Sequence, residues 1–476
     1  MVVDACGSAR YPLTVGTPVD IPEHGRTADD ILAELRDKAH GDTKWKEGKV
    51  FSLVYKVPGK TGEEHDALLQ KAHALYASTN LLNPMAFGSL KQMEREIIEM
   101  ATGLFHGPAT AVGTVTSGGT ESILCAVAAY RDRARKKKPW ILRPELVVPT
   151  TIHPAFDKAA HYFGVKLVKV PVGPDFRADV RAMARAISWR TVALAASAPQ
   201  YAHGVVDPIS ELGALAQKKG LPLHVDACVG GYILPWLEQL GRPVPRWDFR
   251  VPGVTSISAD LHKFAYAGKG ASTLVWRSIE DMRHQIFVAT EFPGGIYASP
   301  TMLGTRPGGP IAAAWATLQS LGADGYRELA SRAADAADRL RAGIQAIPGL
   351  TLLGKSDSTI VAYGVVGPEM ERPGFTPGRG EDAYALADRM ETRGWTVDRQ
   401  QRPASIHLTV TANHGPIVDE YLADLRDSLA ELRANPALAK SGSAPMYGMA
   451  AKMPVRRLVA NNVRKMIADM YTGGHS

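Results

Sequence analysis

Two lysines, Lys263 and Lys269, stand six positions apart in "SADLHKFAYAGKG", residues 258–270. Small residues and glycines surround them, and the apolar run "GVTSIS" just upstream reads as a buried strand. A lysine amine with a lowered pKa forms a Schiff base with an aldehyde. A second ammonium close by is a point charge suited to an anion. The pair lies where a strand runs out into a glycine-rich loop.

Other stretches carry groups that could serve the same chemistry. "SGGTES", residues 117–122, puts two glycines and three hydroxyls at the start of a helical run. Backbone N–H groups there, with the helix dipole, make an anion cradle; a capping box is the plainer reading. "TIHPAFDKAAHYFG" brings His153, whose ring can stack on a flat cofactor or serve the fold alone. "PQYAHG" brings Tyr201 and His203, and "LPLHVDA" ends on Asp226. A carboxylate at the end of an apolar strand is expensive unless paired. A protonated pyridine nitrogen would pair it, and so would neighbouring N–H groups. "PGKTG", residues 58–62, is not a Walker loop, because Val54 stands where the first glycine belongs.

The elements that must position these groups follow from the hydrophobic pattern. From "AVGTVT" to "STLVW", short apolar runs alternate with helical stretches, which predicts a largely parallel sheet with helices on both faces. Such sheets bind ligands at the carboxyl ends of their strands, so the glycine turn, the rings, the carboxylate and the lysine should collect on one edge. Pro154 marks a helix start, and Gly164 and Gly220 mark helix ends. Ahead of the sheet, helices are expected over residues 28–40 with Thr27 as N-cap, 63–78, and 90–105 with Ser89 as N-cap. A long helix over residues 310–346 leads to a smaller α+β domain with a long loop, "GPEMERPGFTPGRGED". The expected division is 1–88 as an N-terminal segment, 89–310 as the large domain, and 311–476 as linking helix, small domain and tail.

Composition narrows the function classes. At 476 residues, with 45% hydrophobic and 22% charged, the chain is too long for one core and too apolar for disorder. No run approaches a membrane span, and the N-terminus lacks a signal-peptide pattern. Cys6, Cys125 and Cys228 are far apart, which fits a reducing cytoplasm and implies no metal site. The net charge of +7 is dispersed; its densest run, "RDRARKKK", reads as a solvated helix end, so nucleic acid is not an expected partner.

A phosphate cup, a ring-stacking histidine, a pyridinium partner and a Schiff-base lysine, in that order, together specify pyridoxal 5'-phosphate. The segments "TSGGTESILCAVAAYRD", "SAPQYAHGVVDPI", "LHVDACVGGYILPW", "TSISADLHKFAYAGKG" and "GGIYASPTMLGTRPGG" resemble the pyridoxal-phosphate-dependent decarboxylase group, and within it the sphingosine-1-phosphate lyases. The tail "MYGMAAKMPVRRLV" is similar as well. The resemblance implies the aspartate-aminotransferase-type α/β fold, with a mainly parallel seven-stranded sheet and a smaller C-terminal α+β domain. It also implies a homodimer with shared active sites, soluble and without a membrane anchor. The implied reaction cleaves a phosphorylated sphingoid base into a long-chain aldehyde and phosphoethanolamine.

Carried over by resemblance, Lys263 is the Schiff-base lysine and His262 a phosphate-side contact. Asp226 is the pyridinium partner, His153 the stacking ring, and Gly119 and Thr120 the phosphate cup, with Thr305 donated across the dimer. Tyr201 and Lys269 lie near the substrate, and Tyr55, Asn80 and Tyr297 contact its phosphate. Asn83 stands where the family usually has a histidine. Lys263, Tyr201 and His203 are the candidates for the general base. An amino-acid decarboxylase is the alternative within the same cofactor chemistry, and a non-catalytic basic scaffold the alternative outside it.

Overall fold

The computed structural model describes residues 20–40, 42–43, 45–83, 85–366, 380–435, 437–438, 442 and 456–472. The N-terminal residues 1–19, most of the "GPEMERPGFTPGRGED" loop and most of the "MYGMAAKMPVRRLV" tail lie outside them. No helix among the described residues is long and apolar enough to cross a membrane.

Seven strands form the main sheet: β1 (Val112–Thr116), β2 (Glu145–Pro149), β3 (Lys166–Val170), β4 (Thr191–Ser197), β5 (Leu223–Asp226), β6 (Val254–Ala259) and β7 (Ser272–Trp276). Their order is β1-β7-β6-β5-β4-β2-β3. The pairs from β6 through β3 are parallel, whereas β7 is antiparallel to both β6 and β1. The exception has a local cause. The connection over residues 260–271 holds turns and no crossover helix, so the chain can only return antiparallel. Alternation of side chains separates two apolar layers. Val147, Leu194 and Ala196 face one core with Val225 and Ile257, while Leu146, Val148, Ala193 and Ala195 face the other with Trp276 and Phe156. At the edge, β3 exposes Lys166 and Lys169.

Three helices precede the sheet: α1 (Ala28–Ala39), α2 (Gly59–Leu75) and α3 (Gly88–Leu104). Thr27 caps α1 as expected, its hydroxyl accepting from Asp30 N at 3.2 Å. Two expectations need correction. Helix α2 begins four residues early, because Gly62 belongs to its first turn: a Cβ there would stand 1.8 Å from the Val57 carbonyl oxygen. Helix α3 begins at Gly88 behind Phe87, with no side-chain cap, so Ser89 lies inside the helix. Phe87 packs on the core and so sets the entry of the chain.

The helices over the sheet are α4 (Gly119–Lys137), α5 (Ala155–Phe163), α6 (Val180–Ala186), α7 (Ile209–Lys219), α8 (Leu234–Gln239) and the short α9 (Ile279–Met282). Gly164 and Gly220 end α5 and α7 in the left-handed region, at φ 65° and 61°. A two-stranded hairpin follows, β8 (Phe287–Ala289) with β9 (Tyr297–Ser299).

The long α10 (Gly308–Gln345) breaks at Gly322, where φ is 59°. Ile311 and Ala314 before the break, and Tyr326 and Leu329 after it, pack into the large core, and further along Ala336, Leu340 and Ile344 join the smaller one. The small domain is a four-stranded antiparallel sheet of β10 (Leu350–Leu352), β11 (Ile360–Val365), β12 (Asp398–Gln400) and β13 (Ser405–Thr409), in the order β10-β11-β13-β12. Helices α11 (Gly380–Thr392) and α12 (Val418–Ala434) accompany it, and α13 (Arg456–Thr472) lies beyond. Residues 50–57 cross between the two cores. Phe51 stacks on His414 in the smaller core at 4.5 Å, while Val57 packs in the larger. Tyr55 sits on this crossing.

Candidate active site

At the carboxyl ends of β1, β4, β5 and β6 lies a cavity of about 390 Å³. Gly119, Thr120, His153, Tyr201, Asp226, His262 and Lys263 all border it. The sheet edge thus collects these groups as the strand-end rule requires.

Helix α4 points its N-terminus into the cavity from Gly118, with no side chain capping it. Gly119 cannot carry a Cβ, which would stand 2.6 Å from Cys228 Sγ and 2.7 Å from Asp260 Oδ1. Glu121, the acidic residue of the "SGGTES" turn, braces it. Its Oε2 accepts from Ser117 N at 2.6 Å, and its Oε1 accepts from Leu303 N at 3.0 Å.

Asp226 ends β5 in register with Ser197 and Ser258. It is buried, and its Oδ1 accepts from Cys228 N at 3.1 Å and from Ser258 Oγ at 3.5 Å. Both bonds fall on one oxygen, and none to Oδ2 occurs among the described residues. His153 stands exposed at the rim; its Nδ1 accepts from Ala155 N at 3.2 Å, so the ring proton sits on Nε2.

Lys263 follows β6 and ion-pairs with Asp260, Nζ to Oδ2 at 2.9 Å. Burial alone would lower the lysine pKa, but the Asp260 carboxylate outweighs it and holds the amine above its ordinary value. Burial would likewise raise the Asp260 pKa, and Lys263 and His262 bring it below the usual range. His262 Nε2 lies 3.6 Å from Asp260, and burial lowers its pKa. Among the described residues, two buried polar atoms here have no hydrogen-bond partner: Asp260 Oδ1 and His262 Nδ1.

Tyr55 and Lys269 stand beside the cavity. Tyr55 meets Phe264 edge-on at 5.1 Å, and Lys269 Nζ lies 5.3 Å from the Tyr55 ring centroid. Lys269 Nζ donates to the Leu53 carbonyl at 2.5 Å and the His262 carbonyl at 3.4 Å. Burial pushes the Tyr55 phenol up to about 12, with Lys263 opposing it, so Tyr55 keeps its proton.

The remaining candidates do not border this cavity. His203 is turned away and packed, stacked on Phe176 at 3.9 Å with its Nδ1 at 3.0 Å from Gln200 Nε2. Burial lowers its pKa to about 4. Asn80 and Asn83 each fold back on their own turn, accepting from Leu82 N and Met85 N at 3.0 Å. Tyr297 lies on the β8–β9 hairpin, and Thr305 is exposed. Residues that motif reading overlooked are Asp260, Glu121 and Cys228. All three stood inside quoted motifs, and for Asp260 a carboxylate one turn before Lys263 was the available signal.

The residues fit pyridoxal phosphate. Gly119 leaves open an uncapped helix N-terminus for a phosphate, Asp226 keeps one oxygen for a ring nitrogen, and Lys263 reaches the same space.

The pyridoxal-dependent decarboxylase conserved domain matches residues 12–365. The chain is 42% identical over 435 residues to a sphingosine-1-phosphate lyase of Arabidopsis thaliana, covering 90% of this chain and 77% of that one. The solved structure of a Burkholderia pseudomallei sphingosine-1-phosphate lyase superposes with a TM-score of 0.81 at 38% identity, over 91% of this chain and 98% of that one. A Lactobacillus brevis glutamate decarboxylase shares the fold, with a TM-score of 0.74 at 18% identity over 92% and 98%. The chain belongs to the pyridoxal-dependent decarboxylase family, in its sphingosine-1-phosphate lyase branch.

Proposed function

We propose that this protein cleaves phosphorylated sphingoid bases, sphingosine 1-phosphate foremost, between C2 and C3. The products are a long-chain aldehyde and phosphoethanolamine. The observation that carries this reading is the meeting of Lys263, Asp226 and the Gly119–Thr120 turn in one cavity, in a chain with this family membership.

Pyridoxal phosphate, when bound, supplies the electron sink for the pair released as the bond breaks. Lys263 anchors it and moves protons at its own Nζ. Asp226, fixed by Cys228 N and Ser258, holds a proton on the ring nitrogen. His153 would cover one face, and the backbone of Gly119 and Thr120 would take the phosphate, with His262 alongside. Lys269 and Tyr55 hold the substrate phosphate at the other end.

The assembly in this reading is a homodimer with shared sites. Its support is a set of expected site residues that do not border this cavity: Asn80, Asn83, Tyr297 and Thr305. They share their segments with exposed apolar side chains, Met85 at 90%, Phe292 at 62% and Ile296 at 78% exposure. Such side chains on a folded surface mark an interaction site.

The test is the product set after incubation with sphingosine 1-phosphate. Aldehyde and phosphoethanolamine in equal amounts support the reading. Carbon dioxide released from an amino acid, with no aldehyde from the lipid, overturns it.

A further inference from the structure

Tyr201 borders the cavity, and its hydroxyl has one proton to give. That proton goes to Asp398 of β12, whose Oδ2 lies 2.5 Å from the phenolic oxygen. Burial, with the Asp398 carboxylate beside it, raises the Tyr201 pKa, so the phenol keeps its proton and donates it. The small domain supplies the rest of the mount. The Tyr201 ring stacks on His407 of β13, centroids 4.1 Å apart. His407 Nδ1 lies 3.3 Å from the Ala202 carbonyl and Nε2 lies 2.8 Å from Thr409 Oγ1. A carbonyl cannot donate, so Nδ1 carries the proton and Nε2 accepts from the threonine. Burial lowers the His407 pKa to about 4, in keeping with a neutral ring. Gln400 Nε2 donates to the same carbonyl at 2.6 Å. The turn that carries Tyr201 is therefore clamped by β12 and β13.

With its proton committed, the Tyr201 oxygen can offer the cavity only acceptor capacity. A phosphorylated amino alcohol brings a hydroxyl, a donor, on C3, one of the two carbons of the bond to be broken. An amino acid brings a carboxylate, which has only acceptors and is repelled by such an oxygen. We propose that Asp398 is a positioning residue that holds the Tyr201 proton away from the cavity, so that Tyr201 selects a substrate hydroxyl over a carboxylate. The inference rests on the lyase reading above and adds to it the group that reads the 3-hydroxyl. A site built to pair a hydroxyl discriminates strongly against an analogue that lacks it.

The experiment is calorimetric binding of a short-chain phosphorylated sphingoid base and its 3-deoxy analogue to borohydride-reduced holoenzyme, which cannot turn the hydroxylated ligand over. Wild type is expected to favour the hydroxylated ligand by about tenfold or more. Asp398→Leu and Tyr201→Phe should each bring the two ligands close to parity. Asp398→Asn, which keeps an acceptor oxygen, should retain part of the preference. Equal binding by wild type, or undiminished preference in Asp398→Leu and Tyr201→Phe, overturns the proposal. A second measurement needs no ligand. The short Tyr201–Asp398 bond should give a strongly deshielded proton resonance, absent from Tyr201→Phe; no such resonance in wild type overturns the geometry. Cleavage of sphingosine 1-phosphate without hydroxyl discrimination sinks this proposal alone, whereas discrimination without cleavage sinks the lyase reading alone.

Discussion

Lys263 Nζ lies 2.9 Å from Asp260 Oδ2, three residues back along the same turn, and Asp260 is buried against the start of α4. The carboxylate keeps the amine charged, so it sets how readily Lys263 can react. Asp260→Asn should lower the Lys263 pKa and enlarge the neutral fraction near neutral pH. The pH profile for capture of pyridoxal phosphate by apoenzyme should then move down by about one unit or more. The rise of visible absorbance after mixing reads it, and an unchanged profile would count against Asp260. Lys263→Ala should abolish that absorbance and turnover, while the far-ultraviolet circular dichroism stays native.

Lys269 is the cation expected at the substrate phosphate. Its ammonium is held by two backbone carbonyls and the Tyr55 face, and burial and then Lys263 lower its pKa. Charge-assisted hydrogen bonds contribute about 1.5–3 kcal/mol each. Lys269→Ala should reduce kcat/KM for the phosphorylated base by roughly one to two orders of magnitude. It should leave cofactor affinity nearly unchanged, since the α4 turn is the proposed seat of the cofactor phosphate. Asn83→His should tighten binding of the phosphorylated base, most at mildly acid pH where imidazole is charged. Steady-state kinetics with phosphorylated and dephosphorylated bases decide both; equal losses on the two substrates would remove Lys269 from the phosphate.

The proposed sharing of sites makes a complementation prediction. Lys263→Ala and Tyr297→Phe chains, each nearly inactive alone, should form mixed dimers with one intact site. Random pairing gives about a quarter of wild-type activity on co-expression. Full activity in a monomer, measured by sedimentation at assay concentration, would refute sharing.

His414 makes the fold acid-sensitive. Its Nε2 donates to the Val50 carbonyl at 3.0 Å and its Nδ1 accepts from Thr411 N at 2.8 Å, so the ring is neutral where it sits. Burial lowers its pKa from 6.5 to about 4. Between those values the unfolded chain binds a proton that the folded chain refuses, so stability falls as pH falls through that window. The loss attributable to this ring is about 2–3 kcal/mol by pH 4. His414→Gln should be less stable than wild type at pH 7, and the gap in urea midpoint should narrow towards pH 4.5. A constant gap would assign the acid sensitivity elsewhere.

The sequence by itself determined the architecture of the sheet and the edge where its polar groups meet. Apolar runs alternating with helices demand parallel strands, and parallel strands bring "SGGTES", His153, Tyr201, Asp226 and Lys263 to one side whatever the loop details. Thr27 and the glycine ends of α5 and α7 were legible for the same reason: their causes lie within a turn of chain. What only the tertiary structure decided involves residues that meet across distance. His203 leaves the cavity because Gln200 and Phe176 claim it, although Tyr201, two residues earlier, stays. Asp398 reaches Tyr201 across 197 positions, from a three-residue polar strand, Asp-Arg-Gln, that no hydrophobic pattern marks. Phe51 joins the smaller core although it precedes the larger one in sequence. Local pattern fixes which face a side chain takes, but its partner depends on how two separately folded layers close on each other, and no period in the chain encodes that closure.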